Sequence, residues 1–307
     1  MATRALDVVT ILHALDTLDK ELQTTGWNPK NPAQLEVFER LGALREPLAR
    51  ITGLDAKASR FYEELNAFLA QRGFSPLIDP FDPKKGLGVV SILDKLVRWL
   101  HGPGTRSDIS TRKGAMPGFE LPPNGVNVYE VAGSSGSYLL ELLTQSDDTL
   151  WLFMHDKTDL EGLDMVKLAM DVMRKPHRTP MSPDPFGIGR GESPAFAGAK
   201  VPLIEFDVKP DLSWLLGADT TTVSGAHYFV AQAAQQFKMR MDETGARVKV
   251  ATAAFAVRQA MILGPAVFLV DRPFYGWWTQ RGIDLPMAVF FADWDCWRKT
   301  SGSLESL

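Results

Sequence analysis

The chain has 307 residues, room for one large domain or two ordinary ones, which excludes a miniature scaffold dependent on metal or disulfide staples. With 45% hydrophobic and 23% charged residues it can bury a full core, which argues against disorder. The 33 basic and 37 acidic side chains leave a net charge of −4, so there is neither the basic footprint that nucleic acid demands nor a polybasic patch for anionic lipid.

Along the chain, Leu6, Val9, Leu12, Leu15 and Leu18 recur at helical steps. Asp7, His13 and Asp16 interrupt what would have to be the apolar core of a secretion signal, so the segment reads as an amphipathic helix and the protein is expected to be cytoplasmic or intracellular. After the Asn28-Pro29 and Asn31-Pro32 breakers, Leu35, Phe38, Leu41 and Leu44 predict a second helix, and Ala58 to Ala70 a third that ends at Gly73. A proline-rich connection leads to a predicted helix over Val89 to Leu100, stopped by Gly102-Pro103-Gly104.

From about Val126 the texture changes to strands, VNVYEV, SYLLELL and DTLWLFMHD, with a helix near Leu160 to Arg174. Pro176 to Gly198 reads as an irregular surface loop. Beyond it come VPLIEFDV, a short helix at Asp211 to Leu216, and a strand in which Phe237, Met239 and Met241 alternate with Lys238, Arg240 and Asp242 as its wet face. Apolar strands PAVFLV, RPFYGWW and PMAVFFADW close the chain. The fold class expected is α+β: N-terminal helices over residues 1–115 packed on mainly antiparallel or mixed sheets over residues 116–307, as one continuous fold.

Catalytic and metal chemistry is poorly represented. The single Cys296 allows no intrachain disulfide and no thiolate metal cluster, and no two of the five histidines stand at the i, i+4 spacing of a zinc helix, so no metal or cofactor is expected. Phe186 to Gly191 has the glycines of a phosphate loop but follows Pro183 and Pro185 instead of a strand. Gly133-Ser134-Ser135-Gly136 reads as a hairpin turn, and His155-Asp156 would point to opposite faces of a strand. None of this argues for an enzyme. The most membrane-like stretch, Ala251 to Val270, carries Arg258, Gln259 and Pro265, and a central arginine costs about 2.5–3.5 kcal/mol in a bilayer, so no membrane partner is expected.

Residues 199–293 resemble the C-terminal half of the serpin family of serine protease inhibitors. The resemblance runs through Val201-Pro202-Leu203-Ile204-Glu205-Phe206, Asp211-Leu212, Leu215-Leu216-Gly217, Ser224-Gly225 and Tyr228-Phe229-Val230 in the family's order. Phe237 to Gly245 is similar to the strand that ends in an acidic pair at the hinge of the reactive-centre loop. Phe268, Asp271, Arg272, Pro273 and Phe274 match the family signature, with Gly276 where a bulky apolar residue is usual. The N-terminal region is divergent and shortened.

The resemblance implies a suicide substrate: a protease attacks a loop at about residues 246–266, and the cut loop inserts into a sheet. The hinge would comprise Glu243, Gly245, Ala246, Val248, Val250 and Thr252, and the scissile-bond candidates are Arg258, Gln259 and Ala260, with Arg258 as bait for a trypsin-like protease. Alternation sets Ala246, Val248, Val250 and Thr252 on one face and leaves Arg247 and Lys249 to reach solvent on the other. About ten new ladder bonds and two buried valines give roughly 10–20 kcal/mol for such an insertion. The alternative is a non-inhibitory serpin-fold protein that binds, supports structure or self-assembles, and Arg247 to Val250 also read as an ordinary half-buried strand.

Overall fold

The computed structural model describes residues 2–132, 136–183, 192–248, 266–283 and 285–307. The chain divides into two units. One comprises residues 6–95 and 207–237, the other residues 1–5, 96–206 and 238–307.

In the first unit the helix Val8–Leu22 starts where the Asp7 carboxylate accepts from the Thr10 amide at 3.0 Å, and Pro32–Leu48 starts at Asn31, whose side chain accepts from the Gln34 amide. The second helix does not bury the stripe its leucines suggest: Leu35 is exposed, whereas Gln34, Val37, Leu41 and Leu48 are buried. Gln34 can be buried because its amide donates to the carbonyls of Trp214 and Leu216 at 2.9 and 3.0 Å. Tyr62–Ala70 is the third helix.

The helix expected over Val89 to Leu100 is instead two strands, Gly88–Leu93 and Lys95–Arg98. Val89, Val90 and Ile92 are β-branched and stiff, and their strand pairs along its length with Leu54–Ser59. Val90 and Ile92 then meet Leu65 and Leu69 in a small core that Phe68, Phe74 and Phe81 close.

The second unit is built on a seven-stranded sheet in the order Arg4–Asp7, Ala288–Ala292, Phe274–Gln280, Asp148–Met154, Tyr138–Leu142, Val126–Val131, His177–Arg178. Leu150 faces Trp278, Trp151 faces Trp277, and Phe153 faces Tyr275 across the central antiparallel pair. Phe274 to Thr279 are buried on both faces, which explains why that strand reads as a continuous apolar run instead of alternating. The helix Leu163–Arg174 packs on Phe274–Gln280 and Ala288–Ala292 through a face that includes Val166 and Ala169.

A second sheet runs Ala266–Leu269, Phe196–Pro202, Gly118–Leu121, Thr105–Arg106. Its first pair is parallel and its other two are antiparallel. A third runs Ile204–Val208, Phe237–Asp242, Gly245–Val248, Lys95–Arg98. The fold is α+β, with mainly antiparallel sheets.

The stretch expected as an irregular loop contains short strands at His177–Arg178, Met181–Pro183 and Glu192–Pro194, and Phe196–Pro202 begins before its end. Residues 184–191, which hold the glycine-rich string, and residues 133–135 of the expected Gly-Ser turn lie outside the described residues. Among the described residues no helix is long and apolar enough to cross a membrane, and no three His, Cys, Asp or Glu side chains converge as metal ligands.

Candidate functional site

The residues expected from sequence to form the hinge occupy a tight hairpin. Asp242 pairs with Gly245, Met241 with Ala246 and Arg240 with Arg247, which leaves Glu243 and Thr244 as the turn. The Asp242 carboxylate accepts from the Thr244 amide at 2.8 Å and from its hydroxyl at 2.6 Å, fixing that turn locally. Burial nevertheless pushes the Asp242 carboxyl above its ordinary range. Glu243 is held twice: its carbonyl accepts from the Gly104 amide, and its carboxylate pairs with Arg106 Nε at 2.7 Å.

Gly245–Val248 is an interior strand, with Phe237–Asp242 on one side and Lys95–Arg98 on the other. The approach on the second side is close enough to demand glycine, since a Cβ on Gly245 would lie 2.1 Å from the Val97 carbonyl oxygen. Trp99, fully buried, closes the hairpin's turn end by donating its indole N–H to the Asp242 carbonyl at 3.0 Å.

One face of this sheet carries Met239, Met241 and Ala246, all fully buried. The other carries Arg240 and Arg247, directly opposite each other. The sequence assigns this face to water; the structure buries Arg240, Asp242 and Arg247. The cover is the C-terminal segment. Arg247 Nη1 donates to the Leu304 carbonyl at 2.8 Å, Arg240 Nη2 to Glu205 at 2.7 Å and to the Ser301 hydroxyl at 3.1 Å, and Arg98 pairs with Glu305 at 3.1 Å. Burial acts to raise the Glu205 carboxyl, but hydrogen bonds from Ser301 and Arg240 outweigh it and hold the group below its ordinary value.

Of the hinge residues inferred from sequence, Glu243, Gly245, Ala246 and Val248 are therefore together in one hairpin. Val250, Thr252 and the scissile-bond candidates Arg258, Gln259 and Ala260 lie outside the described residues, as does most of the expected reactive-centre segment. Sequence reasoning missed Arg98, Glu205, Arg240 and the Ser301–Glu305 segment. A signal for Arg240 was present: a two-residue turn at Glu243-Thr244 places residues 240 and 247 in register.

The signature residues sit where the chain passes from the second sheet to the first. Phe268 packs edge-on to Tyr138 and Phe196, with ring centres 5.0 and 4.9 Å away. Arg272 donates to the Gly136 carbonyl at 3.0 Å and pairs with Asp156 at 3.5 Å, while Asp271 is exposed. Pro273 and Phe274 are buried, Phe274 against Phe290 and Trp297.

Beside them lies a cavity of about 1130 Å³ whose walls include Arg112, Lys113, Tyr138, His155, Phe268 and Trp294. The Arg112 and Lys113 cations stand over the Trp294 ring at 5.8 and 5.6 Å. His155 and Asp156 both line this cavity, because the strand ends at Met154 and its alternation no longer separates them. Burial pushes the His155 imidazole toward its neutral form, against the pull of Asp156.

No protein-family model matches the sequence, and no curated protein shows significant similarity to it. Solved structures do match. A serpin from the trematode Schistosoma haematobium superposes with a TM-score of 0.57 at 11% identity, over 94% of this chain and 93% of that one. Serpin48 of the insect Tenebrio molitor, described as a highly specific serpin, gives 0.54 at 13% identity over 95% and 92%. Human thyroxine-binding globulin in complex with thyroxine gives 0.53 at 12% identity over 94% and 91%. The chain has the serpin fold. The likeness extends well beyond the C-terminal half in which the sequence resemblance is concentrated.

Proposed function

We propose that the chain is a non-inhibitory serpin-fold binding protein, in which residues 249–265 are cut by a trypsin-like protease at Arg258-Gln259 without trapping it. The observation that carries this reading is the seat of the hinge strand. Gly245–Val248 already lies between two neighbours, and those neighbours are six and four residues long. An inserted strand gains ladder bonds only along its neighbours, so about five bonds bring roughly 3–8 kcal/mol, part of it already realised. A protease domain is held by about 5–15 kcal/mol. The remaining gain falls short of what deforming such an enzyme requires.

A binding role is supported by the cavity beside Trp294, which is roomy, partly aromatic and carries cationic groups on one wall. Thyroxine-binding globulin, solved with thyroxine, is a precedent for a serpin fold that holds a small molecule.

Incubation with trypsin tests the reading. The expected product is a chain nicked within residues 249–265, with active protease released and no adduct surviving SDS. A stable covalent complex of the summed mass would overturn the proposal in favour of a suicide inhibitor, and a chain that resists cleavage there would remove the bait.

A further inference from the structure

Arg240 and Arg247 form a pair that a sheet should avoid. They stand directly opposite each other in an antiparallel ladder, where like charges repel, and they are only 4% and 1% exposed. Acceptors for both come from one short stretch of chain. Arg247 Nη1 donates to the Leu304 carbonyl at 2.8 Å, and Arg240 donates to the Ser303 carbonyl through Nη1 and to the Ser301 hydroxyl through Nη2.

The same stretch is gripped at both ends. Glu205 accepts from the Ser301 amide at 2.5 Å and from its hydroxyl at 2.6 Å, and Arg98 pairs with Glu305. Between these points Leu304 is 1% exposed. The sheet face thus reads a short bent segment, its end wound into a 3-10 turn over Leu304–Ser306, by a hydroxyl, two main-chain carbonyls, an apolar side chain and a carboxylate.

We propose that Ser301–Glu305 is a latch on the hinge strand, and that the face made by Arg98, Glu205, Arg240 and Arg247 is its receptor. Docked, the segment supplies carbonyl dipoles and a carboxylate to three adjacent strands and lets Arg247 lie beside Arg240. Undocked, Arg247 loses the Leu304 carbonyl while Arg240 keeps Glu205, and two buried guanidinium groups face each other with fewer acceptors between them. Gly245–Val248 then leaves its place next to Phe237–Asp242. The position of the C-terminal segment, distant in sequence, controls whether the chain entering residues 249–265 is held in the sheet.

Hydrogen–deuterium exchange on full-length variants tests this. Ser301→Asp sets a second carboxylate against Glu205, and Glu305→Lys sets an ammonium against Arg98; together they are expected to free the segment. The expected result is exchange at residues 245–248 at least tenfold faster than in the parent chain, with Asp148–Met154 as protected as before. Adding Arg247→Met, which removes the need for the carbonyl, is expected to restore protection at residues 245–248 while the segment stays free. Hinge amides that remain protected while residues 301–305 exchange freely would overturn the latch. So would a segment that stays docked in the double variant, since the contacts named would not be holding it. Loss of protection throughout, Asp148–Met154 included, would equally count against a local device.

Discussion

At position 276 the sequence has a glycine in an otherwise bulky apolar strand, and the side chain across the ladder explains it. Gly276 pairs with Phe290, whose ring lies over it so closely that a Cβ would sit 2.2 Å from the ring's Cζ atom. The volume usually supplied by the signature strand comes here from its neighbour. Gly276→Val is expected to lower stability by about 1–3 kcal/mol through overpacking, and Phe290→Ala by about 3–5 kcal/mol through the space it empties. The two together should cost less than Phe290→Ala alone, because the valine fills the vacated space; urea midpoints of the four proteins measure the coupling. Simple additivity would show that the ring and the glycine do not share one space. The glycine was visible in the sequence, but its partner was not, since nothing local says which of seventeen phenylalanines will lie opposite.

At the scale of single elements, start signals were legible and the choice between helix and strand was less so. Asp7 caps the helix Val8–Leu22. It is 6% exposed, and burial, outweighing hydrogen bonds from Thr10 and Val9, pushes its carboxyl up to about 7. A carboxyl raised in the folded state binds its proton more tightly there than in the unfolded chain. Its contribution is therefore present at pH 4 and is lost as pH climbs toward 7, by roughly 4 kcal/mol at about 1.4 kcal/mol per pH unit. Asparagine caps a helix as well as aspartate and carries no charge. Asp7→Asn is expected to match the parent near pH 4 and to exceed it by about 2–4 kcal/mol near pH 8, as denaturant titrations at the two pH values would show; equal differences at both would mean that Asp7 ionises freely.

The segment from Val89 onward fits a helix as well as a strand in sequence, because apolar residues at short spacing satisfy either period, and only the pairing with Leu54–Ser59 decides it. The hairpin at Glu243-Thr244 shows the opposite case. Its strands and its apolar face follow from alternation alone, while its charged face was assigned to solvent because no pattern within it announces a cover arriving from residues 301–305.

For the whole molecule, the decisive quantity is how much sheet remains to be made after cleavage. Full insertion of a cut segment, at roughly 10–20 kcal/mol, would raise the melting temperature by about 20 °C or more, at about 2–4 °C per kcal/mol. With neighbours of six and four residues, trypsin-nicked protein is expected to melt within about 5 °C of the intact chain. A calorimetric scan before and after nicking distinguishes these outcomes, and a large upward shift would restore the spring-loaded reading.

Sequence by itself determined the α+β class, the family whose fold this is and most strands after Val126, because alternation, turn residues and a contiguous signature are local properties that survive without coordinates. Only the tertiary structure decided that the strand Gly245–Val248 is enclosed on both sides, that Arg240 and Arg247 are buried together, and that Ser301–Glu305 covers them. Those facts depend on which distant segments meet, and a one-dimensional pattern of charge and hydrophobicity is the same for an arginine facing water as for one facing a carbonyl sixty residues away.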